Sequence, residues 1–264
     1  MSLLDLPSAI FVLVPVLGAF IASQFTQQGI KLANSIILQT GLVGTLIGLI
    51  TMLGNMSDPG EIGPGLSIAS LTILYALIAS SVFTLASLKT SSESPELRPS
   101  FSIIAIILWI AITFWAVAFG SGILAFINIP SLLFVALSIL IIATFGKANF
   151  KSNHIDYRFK DVPALIAGSL RLCGEYLPYA GLIGSSIGIS SMIIDLGDST
   201  AIAPALAFSF LTLCYTNWIS VAIKLGLSKN AREYKSSSWQ YLGFAIFSLV
   251  LSISLLVATL LRME

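Results

Sequence analysis

Charge is what this chain has least of. Only 9% of its 264 residues are Asp, Glu, Lys or Arg, where soluble domains carry about a quarter. Hydrophobic residues make up 56%, and the mean hydropathy is +0.97. That balance excludes a soluble globule and predicts an all-α, polytopic helical membrane protein. Cysteine occurs twice, at Cys173 near a helix start and Cys214 within a span, and neither position suits a disulfide or a metal spacing. The single histidine, His154, sits in a charged loop and reads as an exposed residue rather than a ligand. No nucleotide motif, catalytic triad or metal cluster occurs, so no enzyme activity, cofactor, metal or nucleic-acid partner is expected.

Apolar runs long enough to cross about 30 Å of hydrocarbon as helices lie near 10–25, 36–54, 64–86, 101–121, 130–146, 179–196, 201–224 and 239–261, which predicts eight spans. The few charges are sorted between the loops. Lys31, Lys89, Arg98, Lys147, Lys151, Arg158, Lys160, Arg171, Lys224, Lys229, Arg232 and Lys235 fall on one side. The other side holds Asp5, Asp58, Glu61, Asp195, Asp198 and Glu264, with Arg262 its only basic residue. By the positive-inside rule the first side is cytoplasmic, and both termini are expected outside. Asp5 precedes the first run where a secretion signal would carry basic residues, so that run is read as the first span.

One stretch occurs twice. Gly41–Tyr75, two apolar spans joined by a short acidic loop, recurs without a gap at Gly181–Tyr215. Gly41, Gly44, Gly48, Asp58, Pro64, Thr72 and Tyr75 meet Gly181, Gly184, Gly188, Asp198, Pro204, Thr212 and Tyr215. Pro7, Ser8, Phe11 and Val12 of the first span likewise match Pro130, Ser131, Phe134 and Val135. Apolar drift would pair Leu with Ile, but it would not align glycines, a loop Asp, a Pro and a Tyr in one register. The chain is therefore read as a tandem duplication of parallel repeats. Spans four and eight have no counterparts, and one of them could complete each half. Between spans five and six, 147–177 contains DVPALIAGSLRLCGEY, expected to lie along the membrane surface before Pro178 opens span six.

Gly41, Gly44 and Gly48, like Gly181, Gly184 and Gly188, form a small-residue stripe at helical spacing. Such a stripe lets helix backbones approach closely in lipid. Thr45 and Ser185 lie within the stripes, and Thr72 and Thr212 lie in the next span of each half. Two roles stay open for these hydroxyls: satisfying a carbonyl of their own helix, or lining a polar path. No span carries an ionisable residue at its centre, so an ion path would need its carboxylate from a partner chain.

The stretch GLVGTLIGLITMLGNMSDPGEIGPGLSIASLTILYALIASSVF resembles the last two membrane helices of the MotA/TolQ/ExbB proton-channel family, in particular its MotA/PomA stator subunits. The likeness rests on Gly41, Gly44, Thr45, Gly48, Asp58, Pro59, Ile62, Gly63, Pro64, Leu71, Thr72 and Tyr75. The second half resembles the family over 118–147 and in Pro178, which stands where the family has a proline at the start of its third helix. Pro204 and Tyr215 repeat Pro64 and Tyr75. The resemblance implies a homo-oligomeric ring around a single-span MotB/ExbD/TolR-like partner whose membrane Asp carries H⁺ or Na⁺, with Thr45, Ser185, Thr72 and Thr212 along the ion path. It implies a bacterial cytoplasmic (inner) membrane. Two departures matter: the family's large cytoplasmic domain is missing, and so is a proline near the inner end of its fourth helix, since SSVFTLASL and WISVAIKLG contain none.

The expected organisation is a first MotA-like repeat at 1–100, without the family's first helix, a second at 101–225, and a linker with an extra span at 226–264. Whole chains of two units cannot make an odd-numbered ring. The leading reading is a stator- or motor-type ion-conducting subunit. The alternatives are a secondary transporter with a site between the repeats and a non-conducting membrane scaffold.

Overall fold

The computed structural model describes residues 5–54, 59–87, 99–120, 122–152, 162–194 and 199–227. The expected span at 239–261, most of the 226–264 segment, His154 and the loop residues Asp58, Asp195 and Asp198 lie outside them. Among the described residues there are seven α-helices, one short 3₁₀ turn and no strand: α1 (Leu6–Ala22), α2 (Gln27–Gly54), α3 (Pro59–Ser87), α4 (Pro99–Phe119), the 3₁₀ turn Ile123–Phe126, α5 (Ile129–Ser152), α6 (Val162–Ile194) and α7 (Ser199–Gly226). Within them Gln27–Gly54, Ile62–Ser87, Phe101–Phe119, Ser169–Ile194 and Ile202–Gly226 are long and apolar enough to cross a membrane. The chain is a multi-pass membrane protein. The apolar helices at Leu6–Ala22 and Ile129–Thr144 are shorter, near the lower limit of what crosses a bilayer.

The duplication is visible in three dimensions. α2 packs most extensively on α3 with α1 against both, and α6 packs on α7 with α5 against both. The cap that starts each half is the same device. Asp5 accepts hydrogen bonds from the Ser8 amide and hydroxyl, and Asn128 Oδ1 accepts them from the Ser131 amide and hydroxyl. These caps satisfy amides that the first helical turn leaves without partners. The repeat tyrosines then tie the cap regions down: the Asp5 amide donates to Tyr75 Oη, and Tyr215 Oη donates to the Phe126 carbonyl.

Two expectations need correction. Span one does not reach residue 25: α1 ends at Ala22, and Gln24 and Phe25 adopt left-handed φ of 54° and 56° in a tight turn that sends the chain into α2. Pro178 does not open a helix, and no separate surface helix precedes it, because α6 runs unbroken from Val162 to Ile194. A proline inside a helix leaves the carbonyl four residues earlier without its amide. Here that carbonyl is Gly174 O, and it accepts instead from Ser220 Oγ of α7 at 2.5 Å. The lost bond is replaced from a neighbouring helix, so α6 continues through the proline. Ser220→Ala is expected to lower stability by about 1–2 kcal/mol. Pro178→Ala restores the α6 amide and should remove most of that loss, which a double-mutant cycle on thermal unfolding in detergent would show.

α4 is contiguous with the second repeat but packs along α1 of the first and along α7. Two tryptophans fasten it to α7: buried Trp109 donates from Nε1 to the Trp218 carbonyl, and Trp218 Nε1 donates to Thr113 Oγ1, both at 3.1 Å. Trp109 also meets the Phe11 ring of α1, with centroids 5.9 Å apart.

Candidate functional site

The seams between α2 and α3 and between α6 and α7 are where the two halves agree. A Cβ placed on Gly48 would stand 2.7 Å from the Ala69 nitrogen, and one on Gly188 would stand 2.7 Å from the Ala205 carbonyl oxygen. Both glycines therefore sit in backbone-to-backbone contact, closer than any side chain permits. One helical turn away, Gly44 receives the Thr72 methyl and the Phe11 ring, while Gly184 receives Thr212 and the Phe134 ring. Gly41 faces Ala76, and Gly181 faces Thr216.

The hydroxyls lie inside these seams. Thr45 Oγ1 donates within reach of two carbonyls, Gly41 O at 2.9 Å on its own helix and Ala69 O at 3.0 Å on α3. Ser185 and Ser209 share a hydroxyl–hydroxyl bond of 2.8 Å, and Ser209 Oγ also reaches the Ser185 carbonyl at 3.1 Å. Thr72 donates to Ile68 O at 2.6 Å, and Thr212 donates to Phe208 O at 2.7 Å. All four are buried. Each seam is thus cross-linked near its middle by a hydroxyl reaching the opposite helix, Thr45 from α2 in one and Ser209 from α7 in the other. Thr72 additionally borders a cleft of about 290 Å³ between α1, α2, α3 and α4, along with Ser8, Gly48, Thr51 and Pro64. Pro64 and Pro204 lie in the opening turns of α3 and α7, and both are exposed.

A second polar cluster joins the halves, and sequence reading missed it. Lys224 of α7 is only 3% exposed, and its Nζ donates to the Ser35 carbonyl at 3.1 Å and to Gln39 Oε1 at 3.0 Å, both on α2. Ser220 Oγ stands 3.3 Å from the same Gln39 oxygen. Charge sorting placed Lys224 with the cytoplasmic loops, yet it lies in the last turn of α7 against α2. Ser209 and Lys224 escaped notice for one reason: their counterparts, Ala69 and Thr84, are different residues, and looking only where copies agree discards them.

Fold and seam together define a class: a multi-pass helical membrane protein built on a duplicated, glycine-lined helix pair that carries buried hydroxyls. Residues 26–101, which take in α2 and α3, match the MotA/TolQ/ExbB proton channel family, and this segment is MotA-like. Over 44 residues the chain is 64% identical to Motility protein A of Cereibacter sphaeroides, covering 16% of this chain and 17% of that protein. It is 52% identical over 42 residues to the chemotaxis protein PomA of Vibrio alginolyticus, covering 16% and 17%. It is 47% identical over 57 residues to the uncharacterized protein YtxD of Bacillus subtilis (strain 168), covering 20% and 21%. The matches thus span about a fifth of the length of these relatives. No solved structure gives a significant match.

Proposed function

We propose that this protein is a stator-type, ion-conducting subunit of a bacterial inner membrane, with both termini outside, driven by H⁺ or Na⁺. In this reading a homo-oligomeric ring surrounds a single-span MotB/ExbD/TolR-like partner whose membrane Asp carries the ion. Residues 1–100 and 101–225 supply the two ring units, and 226–264 supplies the linker and extra span. The observation that carries the reading is the seam: the proton-channel match falls on α2 and α3, and the same glycine packing recurs on α6 and α7, with a hydroxyl crossing each seam, from α2 in one and from α7 in the other. No carboxylate stands among the seam hydroxyls Thr45, Thr72, Ser185 and Thr212, and in this reading the ion-carrying acid is the partner's. Each charge moved through 100 mV releases about 2.3 kcal/mol, so useful work couples several ions.

Thr45, Thr72, Ser185 and Thr212 are the ion-path residues of this reading. The test is ion flux in vesicles reconstituted with a single-span partner bearing a membrane Asp. Thr45→Ala combined with Ser185→Ala is expected to lower partner-dependent flux at least tenfold, and Thr45→Ser should keep most of it. Unchanged flux in the double alanine variant would reject the ion-path assignment. Failure to co-purify any single-span Asp-bearing protein would reject the partner.

A further inference from the structure

The two seams share their glycines and part company at the ends remote from Pro64 and Pro204, which are the cytoplasmic ends in the orientation proposed above. In the first half, Thr84 of α3 donates to Asn34 Oδ1 of α2 at 3.1 Å, a neutral pair. The same two positions in the second half are Lys224 and Gly174. The two differences fit one another. A Cβ on Gly174 would stand 3.6 Å from Lys224 Cγ, so the missing side chain leaves a notch on α6 across which the lysine stem lies. Beyond the notch, Nζ reaches Ser35 O and Gln39 Oε1 of α2.

A backbone carbonyl and an amide oxygen are the kind of ligands that a membrane pore offers a passing cation. Here a tethered cation has taken them. Other charges do not distinguish the seams in the same way. Lys31 and its counterpart Arg171 lie nearer the helix starts, and both are partly exposed. Glu175 acts electrostatically on Lys224, but it also lies 3.7 Å from Arg171, so one acid faces two bases. Ser35 and Gln39 sit roughly a third of a turn round α2 from the line of Gly41, Thr45 and Gly48. The ammonium is therefore on a different face of α2 from the first seam.

We infer that Lys224 is a built-in plug: its ammonium holds the second seam shut to cations, and ions cross each chain along the first seam alone, past Thr45 and Thr72. The inference rests on the stator reading and narrows it, since Ser185 and Thr212 then line a path that is closed at its inner end. A positive charge fixed in a narrow passage raises the barrier to a second cation, as in pores that exclude protons and cations. Burial makes the charge effective. Water and salt screen a lysine at a helix start such as Lys31, but not one that is 3% exposed. The two copies thus divide the work, one conducting and the other sealed.

The experiment measures H⁺ and Na⁺ flux in vesicles holding the full chain and a single-span partner with a membrane Asp. Thr45→Ala alone is expected to cut flux at least tenfold, as far as Thr45→Ala combined with Ser185→Ala. In the Thr45→Ala background, Lys224→Met should raise flux at least fivefold by opening the second seam. Thr84→Lys carries the plug to the first seam and should run at least tenfold below its uncharged match, Thr84→Met. Ser185→Ala lowering flux as far as Thr45→Ala would overturn the inference, because both seams would then carry ions. So would equal flux in Thr84→Lys and Thr84→Met, or no recovery in a folded Lys224→Met protein. If Lys224→Met does not fold, Gly174→Asn with Lys224→Thr installs the first half's own pair, and no recovery there also overturns it. These failures occur in a chain whose parent conducts. A parent without partner-dependent flux would instead remove the stator reading, and the plug with it.

Discussion

Replacing Gly48 with leucine is expected to force α2 and α3 apart and leave little folded protein, with Gly188→Leu doing the same to α6 and α7. A Cβ on Gly48 would fall 2.7 Å from the Ala69 nitrogen and 3.0 Å from its Cα, and one on Gly188 would fall 2.7 Å from Ala205 O and 2.8 Å from the Ser209 nitrogen. These are backbone atoms of a facing helix, so no side chain can swing aside to make room. Overpacking of this kind costs about 1–3 kcal/mol even for modest insertions, and a whole leucine exceeds what one seam can absorb. Gly48→Ala should already fall in that range. Gly63 is the control, since nothing lies within 4 Å of its added Cβ, and Gly63→Ala should be neutral or stabilising by up to about 1 kcal/mol. Thermal unfolding in detergent measures all four. Equal midpoints for Gly48→Ala and Gly63→Ala would mean that the helices are not in backbone contact.

Lys224→Glu is expected to be the most damaging single change outside the seams. Nζ now donates to two oxygens, Ser35 O and Gln39 Oε1. A carboxylate there would turn acceptors against acceptors in a buried site. Leaving a buried charge without a partner, as a carboxylate would be here, costs about 3–5 kcal/mol. Lys224→Met removes the donor without adding a charge, and Gln39 Oε1 keeps Ser220 within reach, so its cost should be nearer 1–3 kcal/mol. Were Lys224 an ordinary loop lysine, both changes would stay within about 0.5 kcal/mol. The ordering wild type, Met, Glu in melting midpoint is the result to look for.

The paired helices were readable because a duplicated chain states its important positions twice. Gly48 and Gly188, Phe11 and Phe134, and Tyr75 and Tyr215 all occupy equivalent places in the fold. Contacts made across long separations left no local trace. Nothing near Pro178 shows that a hydroxyl from Ser220 will replace the missing amide, so the proline looked like a helix start. α4 is apolar along its whole length, and such a sequence does not say which neighbour it will choose. Lys224 misled through its charge, because a lysine near the end of a span ordinarily reaches water. Ser209 and Gln39 carry chemistry in one half alone, and comparison of the halves is blind to such residues.

Fusing two units into one chain frees them from having to meet by diffusion. A covalent link keeps α7 at high effective concentration beside α2, so that contact can tolerate taking a lysine out of water, which an association of separate molecules would find harder to offset. Duplication here did more than double a helix pair: it provided one asymmetric fastening in which a lysine is buried between the two halves.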